Sequence, residues 1–444
     1  MNASDPTVVV RADWVVTVDP VDRVVSGGAV AFADGLIVAV GDAQQIVDAH
    51  PDAEIVDLPG HALLPGLVNA HTHLAMTMFR GFADDRDLQA FLDVVIPAEI
   101  EVLDEDRVRR ATQAAAVESL LGGVTTALDM YFFHEAGVLG AAEVGLRLQT
   151  GQLLIDPPGP EQLAWDERLR RAEEWLEQRP ATPGWRPVLA PHSAYVVSPE
   201  HLAAIAELAQ RYDAVVHVHA SENDGEVELV QSLHGRRPLA VLDDVGLLRS
   251  GTVVAHAVCL TDEEIDLLAH TGTAVAHCPA SNLKLASGVA RVPDVVEAGV
   301  PVGIGTDGPA SSNDLDMFAA LRLAALLHKG AGRNGTGAGA AALPTARALR
   351  MATADGAAAV GLAGQVGSLQ VGFRADVIAV DLDRPHTQPV YDPVSALVYA
   401  AGRSDVTNVW VDGRRVVADT VMQTVDPRTA VADLRALQAN VLGR

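Results

Sequence analysis

Apolar and polar positions alternate from Thr7 to about Leu64, through VVVRADWVVTV, AVAFADGLIVAV and AEIVDL. That period of two is the mark of half-buried strands, and Asp34-Gly35 supplies the chemistry of a tight hairpin turn. A matching pattern returns late, in VGSLQVGFRADVIAVDL and NVWVDGRRVVAD, with Asp412-Gly413 as a second turn of the same kind. The two chain ends are therefore expected to pair into one small composite β-sandwich.

Between about Pro65 and Gly361 the pattern changes to apolar strand-like runs that alternate with helical segments. The runs are LLPGLVNAH, GVTTALDM, LRLQTGQLLID, RPVLAPHS, AVVHVHAS, GTVVAHAV, TAVAHCP and PVGIGTD, with helix-compatible stretches such as DEDRVRRATQAAAVESLL after them. Such alternation builds parallel βαβ units, and eight of them predict an α/β fold closed as a (β/α)8 TIM-like barrel. Thr261 and Glu264 form a capping-box pattern where the helix after the sixth strand should begin. The predicted domains are 1–64, the first part of the sandwich; 65–361, the barrel; 362–425, the second part of the sandwich; and 426–444, an Ala/Leu-rich helical tail expected to dock on a neighbour. The Gly/Ala-rich stretch from Lys329 to Leu343 reads as a surface loop without legible chemistry.

Composition narrows the function. The 444 residues are 49% apolar and 20% charged, an ordinary globular balance. Lys+Arg 32 against Asp+Glu 58 gives a net charge of -26, a field that repels nucleic acid and anionic membrane surfaces. The opening MNASDPTVVV has no basic n-region or apolar h-region, and no apolar run is long enough to span a bilayer, so a cytoplasmic location is expected. Cys259 and Cys278 are the only cysteines. They cannot form a disulfide framework or a zinc knuckle, so any metal must be held by His, Asp or Glu.

In a (β/α)8 barrel the active site lies at the C-terminal strand ends. Polar residues that close the apolar runs are His71 and His73 (first), His192 (fourth), His219 with Glu222 beyond it (fifth), His256 (sixth), His277 (seventh) and Asp307 (eighth). Residues i and i+2 of a strand share a face, so His71 and His73 can reach one ion. His219 can join them while Glu222, beyond the strand, acts as a proton carrier. His217 lies on the same strand face as His219 and reads as a packed histidine one layer deeper. Asp307, among glycines in VGIGTDGPASSN, can bind metal and accept a proton from water. The only lysines, Lys284 and Lys329, do not end the fourth strand, which excludes a carbamylated lysine bridging two metals. One divalent ion follows, with Zn²⁺ expected first and Fe²⁺ second. His50, His61, His134, His201, His234, His270, His328 and His386 read as surface residues.

With His71-Thr72-His73, HASE at 219–222, Ala255-His256, HCPASNLKL from His277 and Thr306-Asp307-Gly308 in order, the chain resembles the amidohydrolase superfamily over nearly its whole length. Within it, HTHLAMTMFRGFADD, VIPAE, GVTTALDMYFF, APHSAY and HCPASNLKL look most like the methylthioadenosine/S-adenosylhomocysteine deaminases. The resemblance implies a metal held by His71, His73, His219 and Asp307, and catalysis by Glu222, His256 and Asp307. It also implies Glu99 on the ribose hydroxyls, His192 against the substrate, and a dimer or larger homo-oligomer. Phe91 stands where the family usually has tryptophan. Gln152 stands where an arginine would clamp an amino-acid carboxylate, which argues against S-adenosylhomocysteine.

The expected function is hydrolytic deamination of an adenine nucleoside. The rival within the fold acts on a free amino-heterocycle of guanine, pterin or triazine type, and Glu99 discriminates: it should point into the pocket for a ribosyl substrate and to solvent for a bare ring. Hydrolysis of an imidazolonepropionate-like cyclic amide ranks third. From another class, the barrel could be a catalytically silent binding scaffold.

Overall fold

The computed structural model describes residues 6–330 and 339–443. Barrel strands one to eight are Leu67–Thr72, Val124–Asp129, Arg147–Gln149 with Leu153–Leu154, Val188–Pro191, Val215–Ala220, Thr252–His256, Ala274–His277 and Val302–Ile304. Their pairings are parallel and follow sequence order. The third is split rather than the single run expected over LRLQTGQLLID. Its Gly151 lies so close to the Val188 carbonyl that an added Cβ would overlap it. Strand eight meets strand one to close the barrel. The Asp307 amide donates to the His71 carbonyl at 3.1 Å, and the Asn69 side chain takes the Thr306 amide at 3.1 Å while donating to Thr306 Oγ1 at 2.7 Å. Val68, Ala70, Leu128, Val188, Val215, Val253 and Ala276 fill the interior beneath the strand ends.

Both chain ends join one eight-stranded sheet. Its order is Val421–Met422, Arg414–Ala418, Val406–Val411, Val377–Asp381, Glu54–Pro65, Val8–Val16, Val24–Ala33, Leu36–Asp42. Phe32 and Trp410 sit four strand spacings apart in that order, roughly 19 Å in a flat sheet, yet their ring centroids are 6.2 Å apart. The sheet therefore folds over on itself as a sandwich, with Val10, Val30, Leu63 and Val377 between its layers. Both expected hairpin turns have left-handed central residues, Asp34 and Gly35 at φ 50° and 77° and Asp412 and Gly413 at 52° and 76°. That is the type I′ pattern matching strand twist.

Two boundaries differ from the pattern. Leu63, Leu64 and Pro65, expected to open the first barrel strand, pair instead with Val377–Ala379 of the sheet, so a single residue, Gly66, links sheet to barrel. In VGSLQVGFRADVIAVDL only Val377–Asp381 is strand, because the chain turns at Gly367 and Gly372 with φ 81° and 88°. The capping box forms as expected, with Thr261 and Glu264 satisfying each other's amides. The tail helix Pro427–Leu442 buries Ala430, Leu437 and Val441. Its Asp433 pairs with Arg110 of the barrel helix Glu105–Leu121. Of the Gly/Ala-rich stretch, residues 331–338 lie outside the described residues. Among the described residues no helix is long and apolar enough to cross a membrane.

Candidate active site

Strand alternation and its interruptions decide which side chains enter the barrel mouth. On strand five Val215, His217 and His219 share the inward face. On strand one Val68 and Ala70 face inward, so strict alternation would send His71 out. The pairing with strand two slips between Asn69 and Thr72, and that irregularity re-aims His71 and His73 into the mouth. On strand six Val253 faces inward and His256 is out of phase, but left-handed backbone at His256 and Ala257, φ 71° and 46°, turns the imidazole in. Asp307 has φ 58°. Strained non-glycine backbone of this kind concentrates at functional sites. His277 meets no such correction. Ala276 faces the interior, and His277 points away toward His328 of helix Met317–Gly330, ring centroids 5.4 Å apart. It does not join the other strand-end histidines.

The ligand atoms of His71, His73 and His219 lie within 4.8 Å of one another, and Nε2 of both His71 and His73 is 3.2 Å from Asp307 Oδ1. The outer nitrogens are committed elsewhere. Nδ1 of His73 donates to the Met130 carbonyl at 2.5 Å and Nδ1 of His219 to the His192 carbonyl at 2.9 Å, which leaves each Nε2 unprotonated and inward in the neutral ring. His71 Nδ1 meets His217 Nε2 at 2.7 Å, and His71 Nε2 is buried without an aligned hydrogen-bond partner among the described residues. Ser281 and Ser311 each donate to Asp307 Oδ2 at 2.6 Å, so Oδ1 alone faces the imidazoles.

Charge follows from these contacts. Burial pushes His71 down to about 3 and His219 well below the usual imidazole value. Burial opposes ionisation of Asp307, but His71 and His73 hold it well below the ordinary carboxylate range. His73 is pushed up to about 9 against its burial by the same carboxylate. A cation held by these residues would take over the part of that proton. An orphaned Nε2, two oriented imidazoles and a half-free carboxylate fit a single divalent ion of the zinc class.

Glu222 lies beside this cluster, Oε1 3.9 Å from His256 Nδ1, and burial raises its affinity for a proton. His256 Nδ1 is held 2.8 Å from Asn282 Oδ1. A cavity of about 280 Å³ opens over the group and is lined by Phe91, Glu99, Tyr131, His192, His219, Glu222, His256 and Asp307 among others. Glu99, on helix Leu88–Val102, is 5% exposed and faces the cavity rather than solvent. Tyr131 donates to it at 2.5 Å, while burial pushes its pKa up to about 7. The outer wall is apolar, with Leu88, Val95, Phe132, Leu153 and Ile155, and among the described residues no Lys or Arg lines it.

Gln152 does not reach that cavity. It is buried with Nε2 3.0 Å from Glu161 Oε2, and Arg168 behind it is spent on Glu161 and on the carbonyls of Leu153 and Pro158. Gln152, expected near the substrate from its place in the third strand run, is turned toward Glu161 here. Two histidines read as surface residues are buried as well, His134 against Trp175 and His328 against His277. Sequence reasoning missed Tyr131, Ser281, Ser311 and Asn282. All four lie in motifs already singled out, GVTTALDMYFF, HCPASNLKL and VGIGTDGPASSN, but nothing in the pattern told where their side chains point.

The amidohydrolase family profile matches residues 62–416. A 5-methylthioadenosine/S-adenosylhomocysteine deaminase of Syntrophobacter fumaroxidans is 42% identical over 427 residues, covering 96% of each chain. A 5'-deoxyadenosine deaminase of Methanosarcina mazei is 36% identical, covering 98% of this chain and 99% of that one. The crystal structure of an adenosine deaminase from Xanthomonas campestris with bound zinc superposes with a TM-score of 0.95 at 38% identity, covering 98% and 99% of the two chains.

Proposed function

Because the chain belongs to the amidohydrolase family, we propose that it is a metal-dependent hydrolytic deaminase of an adenine nucleoside, releasing ammonia and the inosine analogue. One observation carries this reading: Glu222 stands against the His71, His73, His219 and Asp307 cluster in the same cavity that Glu99 enters. Those four residues would hold one divalent ion, Zn²⁺ before Fe²⁺. When bound, such an ion acts as a Lewis acid and lowers the pKa of water toward neutrality.

The chain's own groups do the rest. Glu222, whose burial favours its protonated form, takes a proton from the attacking water and hands it to the ring nitrogen. His256, fixed by Asn282, and Asp307, fixed by Ser281 and Ser311, orient the water toward the amino-bearing carbon. Addition gives a tetrahedral centre, and its collapse expels ammonia as Glu222 or Asp307 moves the remaining hydroxyl proton to the amino group. Glu99 receives the ribose hydroxyls, with His192 and Phe91 against the substrate. The apolar outer wall supports a 5' group such as a methylthio or a hydrogen. The carboxylate of an S-adenosylhomocysteine tail would find no cation there among the described residues.

The division into 1–64 and 362–425 as one accessory domain around a 65–361 barrel, with a 426–444 tail, belongs to the same reading, as does a homo-oligomer. The test is ammonia release from adenosine, methylthioadenosine, 5'-deoxyadenosine, S-adenosylhomocysteine, guanine and a pterin. Nucleosides should turn over, S-adenosylhomocysteine slowest by tenfold or more. Turnover of free heterocycles alone would overturn the substrate.

A further inference from the structure

Strand five ends at Ala220, and the helix Asp224–His234 begins after its N-cap Asn223. Between them the chain makes a tight step, with Ser221 left-handed at φ 55°, and that step carries Glu222. Glu226 occupies the third helical position, where a capping-box carboxylate would reach back to the N-cap amide, as Glu264 does for Thr261. It does something else. Glu226 Oε2 accepts the amide of Glu222 itself at 2.5 Å, one residue further upstream. The carboxylate is 6% exposed, and among the described residues its other oxygen has no hydrogen-bond partner. A helix start does not require such a buried, half-satisfied carboxylate, because Asn223 already accepts the Glu226 amide at 2.7 Å.

The other side of the same peptide group is held as firmly. The Ser221 carbonyl accepts the amides of Val258 and Cys259 at 2.8 and 2.9 Å. Those residues directly follow the left-handed pair His256 and Ala257. The Ser221–Glu222 peptide is thus clamped between the loop that aims His256 and the carboxylate of Glu226. The clamp fixes how far Glu222 stands from His256.

We propose that Glu226 is a positioning residue for Glu222: by accepting the Glu222 amide it holds the strained turn that keeps this carboxylate over the cavity and against His256. The inference rests on Glu222 being the proton carrier. Displacing a reacting group by about 1 Å costs on the order of a hundredfold in rate. E226A should therefore lower kcat ten- to a hundredfold while KM for the nucleoside and bound metal, measured by elemental analysis, stay within twofold of wild type. E226Q keeps an acceptor oxygen and should recover most of kcat. Hydrogen exchange of the Glu222 amide, read by mass spectrometry on the 221–223 segment, should quicken in E226A and not in E226Q. Wild-type kcat in E226A, parallel loss of kcat, KM and metal, or an E226Q as impaired as E226A would each overturn the proposal. E222Q measured alongside separates the readings. If it is inactive and E226A is fully active, only the positioning role falls; if it is fully active, the proton-carrier assignment falls first and takes the positioning role with it.

Discussion

Replacing Glu99 with Gln separates what this carboxylate costs the fold from what it gives the substrate. The side chain is buried in a wall that has no Lys or Arg among the described residues, and burial raises its pKa from 4.5 to about 7 although Tyr131 donates to it. Each unit is worth about 1.4 kcal/mol, so holding Glu99 ionised in the fold costs about 3 kcal/mol relative to the unfolded chain. Because the folded value lies above the unfolded one, the native state binds more protons between them. Stability therefore falls as pH rises from about 4.5, and the whole loss is in place somewhat above 7. Gln cannot titrate. Urea unfolding of metal-free wild type and E99Q should show their difference moving by about 3 kcal/mol in favour of E99Q between pH 4.5 and 8. Over the same change kcat/KM for a nucleoside should drop roughly thirtyfold, about 2 kcal/mol, as one charge-assisted hydrogen bond is lost. A stability difference that does not move with pH would refute the titration argument. Unchanged kcat/KM would refute the ribose contact.

Glu222→Gln should lose at least a hundredfold in kcat while keeping its metal, since the group removed is a proton carrier rather than a ligand; full activity, followed as ammonia release, would sink that role. His217→Phe removes the partner of His71 Nδ1 and should weaken metal affinity roughly ten- to a hundredfold in chelator competition. Wild-type affinity would mean that His217 merely fills space.

Much of this architecture is legible because it repeats. Eight apolar runs with helices between them specify a barrel, and Asp34-Gly35 and Asp412-Gly413 announce their turns through the φ values such turns demand. What strict alternation could not supply was phase. It pairs His71 with His73 but does not reveal the slip between Asn69 and Thr72 that brings both inward. It treats His256 and His277 alike, although only His256 has the left-handed backbone that turns it into the mouth. Gln152 illustrates a second limit: its place in the third strand run is visible in sequence, but its attraction to Glu161 is a tertiary fact. Tyr131 and the two serines on Asp307 are hidden for the same reason, because a hydroxyl's partner depends on neighbours brought from distant strands.

The seam between strands one and eight sets a schedule for the growing chain. Thr72 and Asp307, which meet across it, are separated by 235 positions. At roughly 5–20 residues per second, ribosomes would need on the order of ten to fifty seconds to traverse that gap. Throughout it the first two imidazoles exist without their carboxylate, and the two hydrogen bonds between Asn69 and Thr306 are still unmade. The proposed four-ligand centre therefore cannot be complete before Asp307 has been made, and tight binding of its ion would record that the barrel has shut.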